Sequence, residues 1–252
     1  MAGITGVATA LAAGCDDVRR PEHVRRPEHI AVDVPLRAHR RVPPYRSHAI
    51  AARDRPAYRI PDLVPGAPDN AVALTIDDGP APEWTPHVLR MLAEHEVIAT
   101  FSMIGAQVRK YPDLARQVVA AGHGICNHTM NHPQPFAELR PARIRAEIVT
   151  AHREIHRVTG VTARLFRAPG GSWSPTVLRT VARHGMVPLD WDIDPRDWSR
   201  PGTAYIRSRL LRARPGDILL CHDGGGDRRQ TLNALRTVIP ALRRRGLTFV
   251  TL

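Results

Sequence analysis

The chain has 252 residues, of which 43% are hydrophobic, enough for one sizeable core and for a domain the size of an α/β barrel. Its formal net charge of +12 and pI near 11.0 admit a nucleic-acid reading. Against it, Lys110 is the only lysine, the arginines are scattered, and aromatics make up 5% with no stacking platform among the basic residues, so no nucleic-acid partner is expected.

In chain order, Met1 to Gly14 is small and apolar and ends Leu11-Ala12-Ala13-Gly14-Cys15, the pattern of a bacterial lipoprotein signal, although the positive segment that should precede it is missing. Residues 1–15 are therefore expected to be a lipoprotein-type signal remnant. The protein would then be extracytoplasmic, secreted or at the cell surface. It would touch a membrane only through a lipid on Cys15, because no stretch is long enough to span one. Residues 16–68 read as a disordered linker rich in proline and arginine. They carry the direct repeat Val18-Arg19-Arg20-Pro21-Glu22-His23 and Val24-Arg25-Arg26-Pro27-Glu28-His29, with no apolar periodicity to offset ordering entropy.

From Asp69 to the end, residues 69–252, apolar runs alternate with amphipathic stretches. Strands are expected at 71–76, 98–104, 123–126, 165–167, 186–190, 217–221 and 247–252. Helices are expected at 85–94, 107–121, 141–159, 175–184, 203–213 and 230–245, with Gly122, Gly160, Gly185 and Gly246 as C-terminal caps. This alternation argues an α/β fold, a distorted and incomplete (β/α)7 barrel resembling a TIM barrel, whose functional residues gather at the C-terminal ends of the strands.

The polar residues fall at those ends. Asp77 and Asp78 close the first strand before a Gly79-Pro80 turn, and two adjacent acids repel unless a metal holds one and leaves the other as a base. His128 and His132, four apart, would share a face of a helical turn and supply further ligands. Arg167 ends another strand before a Pro-Gly turn and can hold a carboxylate. Four acids lie among the eight residues from Asp190 to Asp197, with Trp191 and Trp198 beside them, and one could orient a histidine. His222 ends an apolar strand, where a general acid could stand. Cys15, Cys126 and Cys221 are odd in number and lack metal-type spacing; Cys221 reads as a small hydrophobe packed behind the site.

In this order the segments resemble the polysaccharide deacetylase family, the NodB-homology domain of carbohydrate esterase family 4. Its motif Thr-Phe-Asp-Asp-Gly-Pro is present with Ile76 for the phenylalanine, and His-Ser/Thr-x-x-His as His128 to His132. Arg-x-Pro-x-Gly matches Arg167, Pro169 and Gly171; the acidic segment ending Asp-Trp matches Asp194 to Trp198; Leu-x-His matches Leu220 and His222. The resemblance implies that Asp78, His128 and His132 bind one divalent metal, zinc first, with cobalt, manganese or nickel as alternatives. It implies Asp77 as general base, Arg167 as its partner, and His222 as general acid paired with Asp197, with Asp194 as the runner-up. Leu220 and Trp198 would line the acetyl pocket, and Pro169 and Gly170 would border the substrate. The family often has an aromatic residue at Gly170; Asn127 and Cys126 are also less usual. The implied activity is removal of N-acetyl groups from N-acetylglucosamine residues of a peptidoglycan or chitin-like polymer. An O-deacetylase or a catalytically silent carbohydrate-binding protein is the alternative, and no oligomeric state is indicated.

Overall fold

The structure is a computed structural model that describes Gly3 and residues 48–252. Contacts divide the chain into residues 1–30 and 31–252, and the fold is that of the second unit. Cys15, the signal-like segment, the direct repeat and the linker through residue 47 lie outside the described residues.

Among the described residues seven strands form, each inside or beside its expected span: β1 (Ala71–Asp77), β2 (Thr100–Met103), β3 (Gly124–Asn127), β4 (Leu165–Phe166), β5 (Val187–Pro188), β6 (Ile218–His222) and β7 (Thr248–Phe249). Between them lie α1 (Thr85–Glu94), α2 (Gly105–Lys110), α3 (Pro112–Ala120), α4 (Pro141–Thr159), α5 (Pro175–Arg183), α6 (Thr203–Leu210) and α7 (Arg229–Arg244). The single helix expected at 107–121 is two. Pro112 forces Tyr111 out of the helical region (φ −127°, ψ 62°), so α2 stops and α3 starts anew.

All strand pairs are parallel, in the order β5-β4-β3-β2-β1-β6. β7 pairs with the first residues of β1, Ala71 and Val72, and β2 pairs with the last, Thr75 to Asp77. The sheet is therefore a distorted, open barrel. Its gap lies between β5 and β6, and isolated bridges cross it. Ala57 pairs with Leu189, Arg59 with Asp217, and Ile193 with Leu219. Packing thus begins before residue 69. Ala57 and Ile60 are both buried to 1% exposure, and Ile60 N–H donates to Gly216 O at 2.9 Å. Two apolar residues in a proline-rich stretch show no periodicity, which is why the sequence reads there as linker.

Strand alternation positions the site. In β1, Val72, Leu74 and Ile76 join the large cluster under the helices, while Ala71 and Ala73 join the cluster inside the barrel. Asp77 continues that inner row. In β6, Leu219 and Cys221 face the helices and Ile218 faces inward, so Leu220 and His222 sit on the inner side. Cys221 does pack behind the site.

Candidate active site

Asp77 and His222 are register partners on adjacent strands, so their side chains emerge together at one end of the barrel. Asp78 follows in the left-handed region, φ 76°, a conformation aspartate tolerates. His128 comes at the end of β3, its N–H donating to Met103 O at 3.0 Å. Residues 128–132 are not a helical turn, contrary to the spacing argument. Thr129 and His132 have positive φ, 65° and 53°. The loop is tied by Thr129 N–H to Asn127 Oδ1 at 2.9 Å and by His132 N–H to Thr129 Oγ1 at 3.0 Å. The less usual Asn127 therefore organises the histidine loop.

The loop brings His128 Nε2 to 3.5 Å and His132 Nε2 to 3.4 Å from Asp78 Oδ1. Among the described residues these three form the one group of potential metal ligands, all ligand atoms lying within 4.8 Å of one another. Two observations test whether a metal fits. His128 Nδ1 lies 2.8 Å from Arg167 O, so Nδ1 carries the hydrogen and donates it, leaving the Nε2 lone pair turned to Asp78. Asp78 Oδ1 is buried without a hydrogen-bond partner, an arrangement that is costly unless a cation completes it. Two imidazoles and a carboxylate suit a divalent transition metal. Burial alone would raise the Asp78 carboxyl, but the electrostatic influence of the adjacent His128, His222 and His132 side chains holds it well below the usual carboxylate range.

Behind the cluster stands a buried ion pair. Arg167 is fully buried; Nη1 donates to Asp77 Oδ1 at 2.7 Å and to Thr75 Oγ1 at 2.8 Å, and Nη2 donates to Asp190 O at 3.0 Å. The Asp77 Oδ2 oxygen is left facing the cluster, 3.7 Å from His128 Nε2. On the other side, His222 Nδ1 donates to Asp197 Oδ1 at 2.7 Å, and Asp197 Oδ2 accepts from His222 N–H at 2.9 Å and Thr231 Oγ1 at 2.8 Å. Asp194 instead accepts from Arg196 N–H at 2.6 Å within its own turn, which decides between the two acids. Burial disfavours the charged imidazole of His222. The hydrogen bond and charge of Asp197, followed by the charges of Asp78 and Asp77, outweigh it and raise the group to about 9.

The pattern of the polysaccharide deacetylase family matches residues 65–189. A chitooligosaccharide deacetylase from Bradyrhizobium sp. (strain ANU 289) is 45% identical over 189 residues, covering 70% of this chain and 86% of the relative. The chain belongs to the polysaccharide deacetylase family. The fold agrees with solved members. The Bc1960 peptidoglycan N-acetylglucosamine deacetylase superposes with a TM-score of 0.70 at 32% identity, covering 73% of this chain and 88% of that one. A CE4 family pseudoenzyme from Bacillus anthracis superposes with a TM-score of 0.69 at 30% identity, covering 77% of this chain and 66% of that one. Similarity to a pseudoenzyme as well as an enzyme means that catalysis in this polysaccharide deacetylase family member must be argued from its own residues.

Leu220 is buried on the inner face, and Pro169 is buried in the turn Pro169–Gly171. Gly170, at φ 61°, faces the side chain of Gln134. Trp198 is 47% exposed, with the Arg196 guanidinium 5.3 Å over its ring.

Two carboxylates were given no role of their own in the sequence reading. Asp223 is fully buried; its N–H donates to Asp77 O at 3.0 Å, and its Oδ2 accepts from Thr85 Oγ1 at 2.5 Å. A Cβ at Gly79 would collide with this carboxyl, so the glycine of the Asp-Asp-Gly turn is where Asp223 fits. Burial, then the charges of Asp78 and Asp77, push Asp223 up to about 7 against the Thr85 hydrogen bond. Asp190 accepts from Trp173 Nε1 at 2.8 Å and is raised to about 6, chiefly by burial. Its place in the run of four acids was the only available signal; Asp223 could have been noticed by its adjacency to His222.

Proposed function

We propose that this chain is a divalent-metal-dependent hydrolase that removes N-acetyl groups from N-acetylglucosamine residues of a polysaccharide, either a chitin-like oligomer or peptidoglycan. The observation that carries the reading is the flanking of one potential metal cluster by two separately buttressed protonic groups, Asp77 held by Arg167 and His222 held by Asp197. Asp78, His128 and His132 would hold the metal, with zinc the first choice and cobalt, manganese or nickel also suited to the donor set. When bound, such an ion lowers the pKa of water and polarises a carbonyl.

The chain's own residues supply the rest. Arg167 fixes Asp77 Oδ1, so Oδ2 is the oxygen that takes a proton from the attacking water. As the water oxygen bonds to the acetyl carbon and the C–N bond breaks, the amine nitrogen needs a proton to leave. His222 Nε2 gives it, because Asp197 occupies Nδ1 and keeps the ring charged. Acetate and the free amino sugar are the products. Leu220, Pro169 and Gly170 border the acetyl-bearing sugar, and Trp198 forms the groove rim. Two named relatives favour amide over ester chemistry: one is a chitooligosaccharide deacetylase and the other a peptidoglycan N-acetylglucosamine deacetylase.

Acetate released from chitooligomers, peptidoglycan and acetylated xylan, compared at equal acetyl concentration, tests this. Faster release from either N-acetylated substrate is expected. Release from xylan alone would replace the proposal with an O-deacetylase. We also propose export with lipid on Cys15, supported by the sequence pattern around it; metabolic labelling with a fatty acid, lost in Cys15→Ser, is the expected result.

A further inference from the structure

The histidine loop is held from outside the site as well as from within. On one side stands the start of α2, where the backbone N–H groups of Gly105 and Ala106 donate to Thr129 O and Met130 O, each at 2.9 Å. Gly105 allows this approach, since a Cβ there would meet Met130 Sδ at 2.6 Å and the Ala151 backbone of α4 at 2.9 Å. On the other side stands α4. Ile148 O accepts from Asn127 Nδ2 at 3.0 Å, which secures the residue before His128. Glu147, buried and one position earlier in α4, secures the residue before His132. Its Oε2 accepts from Asn131 N–H at 2.8 Å and its Oε1 from Asn131 Nδ2 at 2.9 Å. Asn131 is itself exposed and His132 follows at φ 53°, so hydrogen bonds, more than packing, fix this half of the loop. Arg143, one turn back on α4, adds a third donor, its Nη2 lying 2.7 Å from Glu147 Oε1. A pair with an exposed arginine stabilises a helix only slightly and does not require both carboxylate oxygens to face a loop. The two-pronged contact with Asn131 is what a buried glutamate at this position accounts for.

We propose that Glu147 is a positioning residue for metal binding, holding His132 on the cluster through Asn131 as Asn127 holds His128. The role rests on the metal-dependent reading of the site, and Glu147 touches no reacting atom. The full-chain protein is titrated with zinc by calorimetry, and cobalt in place of zinc gives the ligand-field absorption bands of the site. Glu147→Gln keeps the volume, but all three partners of the carboxylate are N–H donors, so an amide NH2 opposes one of them in either orientation. Zinc binding is expected to weaken by about tenfold or more, and the cobalt bands to shift. Asn131→Asp, at an exposed position, sets two carboxylates against each other and is expected to weaken zinc similarly, although its added charge beside His132 would by itself favour a cation. The two substitutions together restore a complementary pair. The new amide donates to the new carboxylate and its oxygen accepts from the backbone N–H, so zinc affinity is expected to return to within about threefold of wild type. Arg143→Met removes the ion pair alone and is expected to leave zinc affinity within about twofold. Unchanged affinity in Glu147→Gln, an equal loss in Arg143→Met, or a double variant no better than the single ones overturns the role. A wild type that binds zinc yet releases no acetate fails the deacetylase reading alone, because affinity and the cobalt bands read the loop without turnover.

Discussion

His222 owes its protonation state chiefly to the hydrogen bond and charge of Asp197, with smaller contributions from Asp78 and Asp77. The imidazole is raised to about 9 despite burial, so the acid form persists through neutral pH, and the alkaline limb of the rate profile should lie well above the ordinary histidine range. A divalent cation on Asp78 would cancel that residue's share of the shift, but the share of Asp197 would remain. Asp197→Asn should move the limb towards neutrality by a unit or more and lower kcat by roughly 10–100-fold, checked by kcat against pH. Because the folded pKa is raised, the pair's contribution to stability is fully present below the unfolded value and is lost as pH rises through about 9. Arg167→Met leaves Asp77 buried and unpaired, and should cost about 3–5 kcal/mol by urea denaturation. The grouping of Asp77, Asp78, His128, His132, Arg167 and His222 was legible because each stands at or shortly beyond a strand end within a recognisable short motif. Asp223 and Asp190 were not, because their partners, Thr85 and Trp173, are distant in sequence and meet them only through the fold.

At the level of elements, the apolar runs that became β1 and β6 were the most readable feature. The placing of Cys221 behind the site was also readable, because strand neighbours face opposite sides, and the structure shows the same alternation setting Asp77 and His222 inward. Two local readings failed for identifiable reasons. Pro112 splits α2 from α3, and side-chain bonds from Asn127 and Thr129 replace the expected helical turn with a loop. That loop and the turn after β1 are each pinned by a buried side chain. For the turn it is Asp223, clamped by Thr85, whose Oγ1 also accepts from Ala81 N–H at 2.7 Å. Thr85→Val should therefore cost about 1–3 kcal/mol in thermal unfolding, the penalty for a buried polar group left unpaired. Asn127→Ala should weaken zinc affinity by about tenfold or more in calorimetry, since it frees the backbone that aims both histidines.

For the molecule as a whole, the open barrel is bridged across its gap by residues that the sequence reads as linker. Ala57 and Arg59 pair with opposite sides of the gap, and Arg59 also lies 2.8 Å from Asp217. A protein beginning at residue 65, where the family match starts, should melt several degrees below one beginning at residue 48, with the loss traced by Ala57→Pro in the longer form. Strand count, helix order and the parallel sheet were legible because burial on both faces gives continuous apolar runs. The strap was hidden because two buried residues among prolines carry no period. The central claim, that two buttressed protonic groups act across one metal cluster on an N-acetyl sugar, is tested most directly by acetate release from chitotetraose. Metal-stripped protein, zinc-reconstituted protein and zinc-reconstituted Asp77→Asn would be compared at equal bound metal. The account predicts acetate from the reconstituted wild type alone. Equal release by Asp77→Asn, or release unaffected by stripping the metal, would contradict it.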